Sequence, residues 1–200
     1  GSEMCIRDRF QVIKTLTNAM ENLHKKEKLE HMNQILSDLY VRDSVTGLYN
    51  RMGYQKLSIS YFTIMREKKM PVLVMFIDLD RLKYINDTFG HEYGDFAIVS
   101  IAKAMLKHCD ADAIAARTGG DEFIVLEGAK DEESGRVLAQ KIRTELSKTQ
   151  RAMQLPFDLS ASIGAVVAHP GEENVLESYV KRAEMLMYEE KAEKKVSRDS

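Results

Sequence analysis

The rhythm of apolar positions changes near residue 40. From Phe10 to Tyr40 it is sparse, with three-four spacing: Ile13, Leu16, Met20 and Leu23, then Leu29, Met32, Leu36 and Leu39 in a shifted register. Such spacing lays one narrow stripe along a helix that is otherwise polar. The stripe is interrupted at His24-Lys25-Lys26-Glu27-Lys28. A narrow seam favours a two-stranded coiled coil over a helix packed on its own domain, and the break predicts a stutter or a bend.

Beyond Arg42 the pattern becomes that of a packed domain. Asp43-Ser44-Val45-Thr46-Gly47-Leu48-Tyr49-Asn50 is turn-rich, and Asn50 can cap a helix from Arg51 to about Lys68. Pro71 to Asp78 is a continuous apolar run ending in acid, the pattern of a buried central strand. Short helix Leu82 to Asn86, a turn at Gly90 and a helix from about Gly94 to His108 follow. Ala113 to Arg117 and Glu122 to Leu126 flank Gly119-Gly120, a hairpin signal. A helix from about Glu132 to Lys148, a strand from Leu159 to Ala168 and a helix from about Val175 to Lys191 complete the order. Alternating strands and helices with a hairpin between them predict an α+β fold, a mixed sheet covered by helices. The expected organisation is a lead over 1–9 with tag-like Gly1-Ser2, a signalling helix over 10–41, a globular domain over 42–195 and a basic tail over 196–200.

Composition narrows the function classes. Hydrophobic residues make up 44% of the 200, enough for a core, and the formal net charge is −2. No broad basic field is present, which argues against nucleic-acid binding. Cys5 and Cys109 form no partner pattern, so a reducing cytoplasm is the expected compartment. No apolar run is long enough to span a bilayer, although the parent protein could still be membrane-associated.

Candidate chemistry lies in two acidic clusters where strands end or turn: Asp78-Leu79-Asp80 and Asp121-Glu122. Crowded carboxylates repel one another unless a cation lies between them. Hard oxygen ligands suit Mg²⁺ or Mn²⁺, which commonly also hold phosphates. The glycines Gly119 and Gly120 would let a ligand approach the backbone. On composition alone, solvated strand-end acids and an ordinary Gly-Gly turn explain these clusters equally well. Between them, Asp80 to Asp95 packs polar residues and glycines tightly, and the turn after Asp80 could offer N–H groups to phosphate, with Lys83 adding charge.

An ordered set of motifs decides between those readings. It comprises Arg42 to Arg51 (RDSVTGLYNR), Phe76-Ile77-Asp78-Leu79-Asp80, Asn86-Asp87 through Gly90-His91 to Gly94-Asp95, and Gly119 to Phe123, followed by Ser162-Ile163-Gly164 and Tyr188 with Lys191. With these motifs the chain resembles the GGDEF-domain diguanylate cyclases from Arg42 to about Lys195. The resemblance implies a ferredoxin-like, palm-like core of the nucleotidyl-cyclase type. It also implies a nucleotidyltransferase that condenses two GTP into cyclic di-GMP with two Mg²⁺ or Mn²⁺ per active site. Asp78, the backbone carbonyl of Leu79 and Asp121 would hold metal, with Glu122 in support. Asp121 would accept the proton of the GTP 3′-hydroxyl. Asn86 and Asp95 would read guanine, with His91 in the same pocket. Lys83 and Lys191 would contact phosphates, as could Lys195, which stands where many members carry Arg.

One carboxylate, Asp95, can accept both guanine N1–H and the exocyclic amine; adenine would leave it unpaired. The family's product-inhibition motif, Arg-x-x-Asp, falls here on Asp110 and Ala113, so inhibition through that site is not expected. The resemblance further implies a homodimer, because each domain holds half a site, and an upstream sensor domain outside this chain. A catalytically silent GTP-binding regulatory or dimerisation module is the alternative.

Overall fold

The computed structural model describes residues 14, 16–30, 32, 40–172 and 175–199. The chain divides into two units, Gly1–Tyr40 and Val41–Ser200. In the first, residues 16–30 form one helical run. Its described stripe residues Leu16, Met20, Leu23, Leu29 and Met32 are exposed in the single chain. Ile13, Leu36 and Leu39, and the tag-like lead, lie outside the described residues.

The second unit contains α1 (Arg51–Glu67), β1 (Val72–Leu79), α2 (Leu82–Phe89), α3 (His91–His108), β2 (Ile114–Arg117), β3 (Glu122–Gly128), α4 (Ser134–Ala152), β4 (Ala161–Ala168) and α5 (Leu176–Asp199). From β1 onward this is a β-α-β-β-α-β order, the ferredoxin-like arrangement, with one strand-helix link doubled. The sheet order is β2-β3-β1-β4. The expected mixture of strand directions narrows to antiparallel pairing between all four named strands. Among the described residues, parallel pairing is limited to the isolated bridge between Tyr49 and Ala116.

Strand β1 is buried along its whole length because it lies between β3 and β4 with helices on both faces. Alternation sends Leu73, Met75, Ile77 and Leu79 into a core with Ile101 and Met105 of α3 and Leu138 and Ile142 of α4. It sends Val72, Val74 and Phe76 into a second core with Phe62 of α1 and Tyr179, Ala183 and Met187 of α5. The same alternation places Asp78 on the α5 face.

The caps follow the sequence signals. Asn50 accepts a hydrogen bond from the Gly53 N–H at 2.9 Å and caps α1. Gly90, with φ of 96°, separates α2 from α3, so the second helix begins at His91, before the expected Gly94. A Cβ on Gly164 would lie 1.9 Å from the Ala183 carbonyl oxygen, so only glycine lets α5 cross β4 there.

The largest departure concerns α5. The expected end at Lys191 and the separate tail give way to a helix reaching Asp199. No glycine or proline follows Lys191 to stop it. A Glu190–Lys194 ion pair at i,i+4 spacing supports the added turns. Among the described residues, no helix is long and apolar enough to cross a membrane.

Candidate active site

The sheet register joins the two acidic clusters. Asp78 of β1 pairs with Glu122 of β3, and the Leu79 N–H donates to the Asp121 carbonyl at 2.9 Å. The hairpin tip is braced from outside. Arg117 donates through Nε and Nη2 to the Gly120 carbonyl at 3.2 and 2.8 Å, and its Nη1 lies 3.3 Å from Asp43 Oδ1. That carboxylate also accepts from the Thr46 N–H and hydroxyl, at 2.9 and 2.7 Å. Asp43 therefore shapes its turn, as expected, and also anchors Arg117, which its sequence context did not reveal.

Helix α5 supplies cations to these acids. Lys191 Nζ lies 2.6 Å from Asp78 Oδ1. Burial pushes the Asp78 carboxyl up; Lys191 opposes this, while Asp121 and Asp80 reinforce it, and the net position is above the ordinary value. Burial acts downward on Lys191, but the Asp78 hydrogen bond and charge outweigh it and hold the ammonium above its usual value.

Asp80 is held differently. Its carboxylate accepts from the Ser160 and Ser162 hydroxyls at 2.8 and 2.7 Å and pairs with Lys194 at 3.1 Å. Burial acts upward, yet those two hydroxyls and Lys194 outweigh it and lower the Asp80 carboxyl. Lys194 also donates to the Ala161 carbonyl at 2.7 Å. Lys194 was not singled out in the sequence. The signal for it was its i+3 spacing from Lys191, which puts both on one helix face. Lys195, which was singled out, is exposed.

The base-reading candidates meet at the α2–α3 corner. A Cβ on Gly94 would lie 1.8 Å from Asn86 Oδ1, so glycine admits the Asn86 side chain against α3. Asp95 is the next residue and His91 lies one turn earlier; both are exposed. Helix α2 starts just beyond Asp80 with Arg81 in the left-handed region at φ of 60°. The Arg81 guanidinium stacks on Tyr84 at 3.9 Å, and Lys83 is exposed. At ~1.5 Å per residue, Asn86 is roughly 6 Å along the α2 axis from its first residue, Leu82.

Among the described residues, no three His, Cys, Asp or Glu side chains converge into a metal cage. The donor set at the strand end is smaller: the Asp78 and Asp121 carboxylates and the Leu79 carbonyl, with Glu122 beside them. These hard oxygens fit Mg²⁺ or Mn²⁺, whose other positions commonly go to water and substrate phosphates. A buried Asp78 whose charge is disfavoured by burial and by two neighbouring acids suits a cation.

The family model described as "Diguanylate cyclase, GGDEF domain" matches residues 40–197. The chain belongs to the GGDEF-domain family. The diguanylate cyclase VdcA of Vibrio cholerae serotype O1 is 34% identical over 153 residues, covering 74% of this chain and 43% of VdcA. The cyclic di-GMP phosphodiesterase NbdA of Pseudomonas aeruginosa is 27% identical over 165 residues, covering 82% of this chain and 21% of NbdA. The chain thus spans less than half the length of these curated relatives. Among solved structures, the coiled coil and GGDEF domain of DgcB from Caulobacter crescentus, in complex with c-di-GMP, matches with a TM-score of 0.71. That likeness covers 88% of this chain and 93% of the other at 22% identity, and it establishes the shared fold. The GGDEF signature itself is the hairpin Gly119 to Phe123.

Proposed function

We propose that this GGDEF domain is a metal-dependent diguanylate cyclase that condenses two GTP into cyclic di-GMP and two pyrophosphates across a homodimer. The observation that carries this reading is the sheet register that sets Asp78 opposite Glu122 and Leu79 against the Asp121 backbone at one strand end, a short helix away from the Asn86–Asp95 corner.

In this reading Asn86 and Asp95 hold guanine, with Asp95 accepting from N1–H and the amine and His91 lining the pocket. The exposed Asp95 loses water only when a base covers it, so an unmatched adenine would be penalised at binding. Lys83, Lys191 and Lys195 contact phosphates. Asp78, Asp121 and the Leu79 carbonyl hold Mg²⁺ or Mn²⁺, two per site, which supply positive charge at the triphosphate. Asp121 accepts the proton of a 3′-hydroxyl, with Glu122 supporting it. The 3′-oxygen bonds to the α-phosphorus of the GTP on the other protomer, the α–β bridging bond breaks and pyrophosphate leaves. A second, symmetric transfer closes the ring. Each domain supplies half the site, and pairing of the N-terminal helices would raise the effective concentration of the halves.

The Arg-x-x-Asp positions hold Asp110 and Ala113, and Asp110 lies beside the buried Glu127. An anionic dinucleotide meets only negative charge from these two acids, so product inhibition at this place is not expected. The test is to incubate protein with GTP and Mg²⁺, identify the nucleotide products and add cyclic di-GMP to the assay. Product formation with specific activity rising with protein concentration supports the reading, and an initial rate unchanged by added product supports the missing brake. GTP binding with no product at high protein concentration defeats it in favour of a silent GTP-binding module. The observation favouring that second reading is that Asp78 is already paired with Lys191.

A further inference from the structure

We infer that Lys194 is a positioning residue for the reaction: by clamping Asp80 it fixes the turn that joins the metal-holding strand end to the base-reading helix. The inference rests on the cyclase reading and adds to it a residue that touches neither substrate nor metal.

Asp80 occupies the junction. Its backbone N–H donates to the Ser160 carbonyl at 2.9 Å, which extends the β1–β4 contact past the last paired residues, Leu79 and Ala161. The Leu79 carbonyl is immediately before it. Immediately after it comes Arg81, whose left-handed backbone starts α2 and so aims Lys83 and Asn86. A rotation at Asp80 would move all of these together. The Asp80 side chain is almost wholly buried, at 4% exposure, so its orientation is set by its partners. Those partners are the hydroxyls of Ser160, just before β4, and Ser162, within it, and one ammonium from α5.

The ammonium is itself held. Lys194 donates to the Ala161 carbonyl and pairs with Glu190 Oε1 at 2.7 Å. Glu190 Oε2 pairs with Arg143 of α4 at 2.6 Å and accepts from the Ile163 N–H at 3.3 Å. The chain Asp80–Lys194–Glu190–Arg143 therefore ties β1, β4, α4 and α5 at one point. One turn earlier on α5, Lys191 reaches Asp78. Fixing Lys194 thus fixes the rotation of α5 that presents Lys191 to the strand end. Removing it would leave the Asp80 charge buried with hydroxyls alone.

The test compares Lys194→Met, Lys194→Arg and the double variant Asp80→Asn/Lys194→Met with the wild type in the full chain. Three quantities are read: kcat and KM for GTP, amide hydrogen exchange over residues 79–86 without nucleotide, and Tm. We expect Lys194→Met to lower kcat by about tenfold or more while KM changes less, as a misplaced site does. Exchange over 79–86 should speed up by roughly tenfold with β3 unaffected. Lys194→Arg should restore both. The double variant should recover part of the loss, because no unpaired charge remains buried.

Turnover and local exchange within about twofold of wild type in Lys194→Met would overturn the inference, whatever the Tm, because a position off the network changes stability alone. Uniform acceleration of exchange across the whole domain would overturn it too. If Lys194→Met does not fold, the double variant decides: wild-type kcat and wild-type exchange over 79–86 in a folded double variant would refute the clamp. A wild type that makes no product defeats the cyclase reading instead, and the exchange comparison still judges the clamp.

Discussion

The two ends of β3 both crowd acids, and they treat them in opposite ways. At the hairpin end, Asp78 and Asp80 meet Lys191 and Lys194 from α5 at 2.6 and 3.1 Å. At the far end, Glu127 is buried and takes one hydrogen bond, from the Asp110 N–H at 3.0 Å. Burial raises its carboxyl; that N–H and Lys141 oppose the rise, while Asp110 and Asp112 add to it. The same surroundings push the Cys109 thiol up to about 12, mainly by burial, and the Tyr61 hydroxyl to about 12 for the same reason. Of the two cations, Lys191 has Asp78 as its ion-pair partner and a long, partly exposed side chain that can turn from carboxylate to phosphate, whereas Lys194 is held by Asp80, the Ala161 carbonyl and Glu190. Among the described residues, Glu127 at the far end meets a fixed backbone donor and, less strongly, Lys141, which suits an interior group. Crowded acids therefore mark a candidate site only where exchangeable cations face them.

The comparison breaks most sharply by mutation of the acids themselves. Asp78→Ala or Asp121→Ala should lower cyclic di-GMP formation by at least about a hundredfold, the scale of losing a group that stabilises transition-state charge. Glu127→Gln at the far end should leave kcat within about twofold, since the residue touches no reacting group. Steady-state product formation measures all three. Equal losses at the two ends would show that buried acids here serve folding alone.

The second prediction sharpens the hairpin end by asking what it selects. Asp95→Ala should reduce discrimination between GTP and ATP by about a hundredfold, since a site that pairs donors rejects analogues lacking them by large factors. Competition between the two nucleotides for binding reports this even without turnover. Unchanged discrimination would remove Asp95 from the base pocket and leave Asn86 and His91 to explain any preference.

Much of this arrangement was legible in the sequence because it is local or periodic. The apolar run over Pro71 to Asp78 marked β1, Gly119-Gly120 marked the hairpin, and Asn50 marked the start of α1. The turn signal at Gly90 marked the corner, and the family resemblance assigned Asn86, His91 and Asp95 to one pocket there; Gly94 proves necessary to it. What escaped notice depends on contacts distant in the chain. Lys194 meets Asp80 across 114 residues, and Arg117 meets Asp43 across 74. Neither pairing has a local spacing rule. The end of α5 was misplaced because a basic segment reads as a frayed tail until Asp80 and Glu190 are seen to hold it. Glu127 fell just beyond the expected strand Glu122 to Leu126 and was not singled out, since its burial depends on elements that only the fold brings over it.

The smallest expected effect separates the two ends by the sign of a pH dependence. The Glu127 carboxyl is raised in the folded protein, so the native state keeps its proton to higher pH than the unfolded chain does. Its presence therefore costs stability as pH rises from the ordinary glutamate value of about 4.3 through the folded value. Asp80 is lowered, so it contributes stability above the ordinary aspartate value of about 3.9, lost as pH falls through the folded one. Urea unfolding between about pH 4 and pH 7 should then show Glu127→Gln gaining on the wild type as pH rises, by on the order of 1 kcal/mol. Asp80→Asn should instead stay below the wild type by a nearly constant amount over that range and make up ground only as pH falls below about 3.9 through the folded value, where Asp80 itself takes up a proton. Parallel slopes for the two variants would mean that the cations of α5 do not distinguish the ends of β3, and the contrast between them would fall.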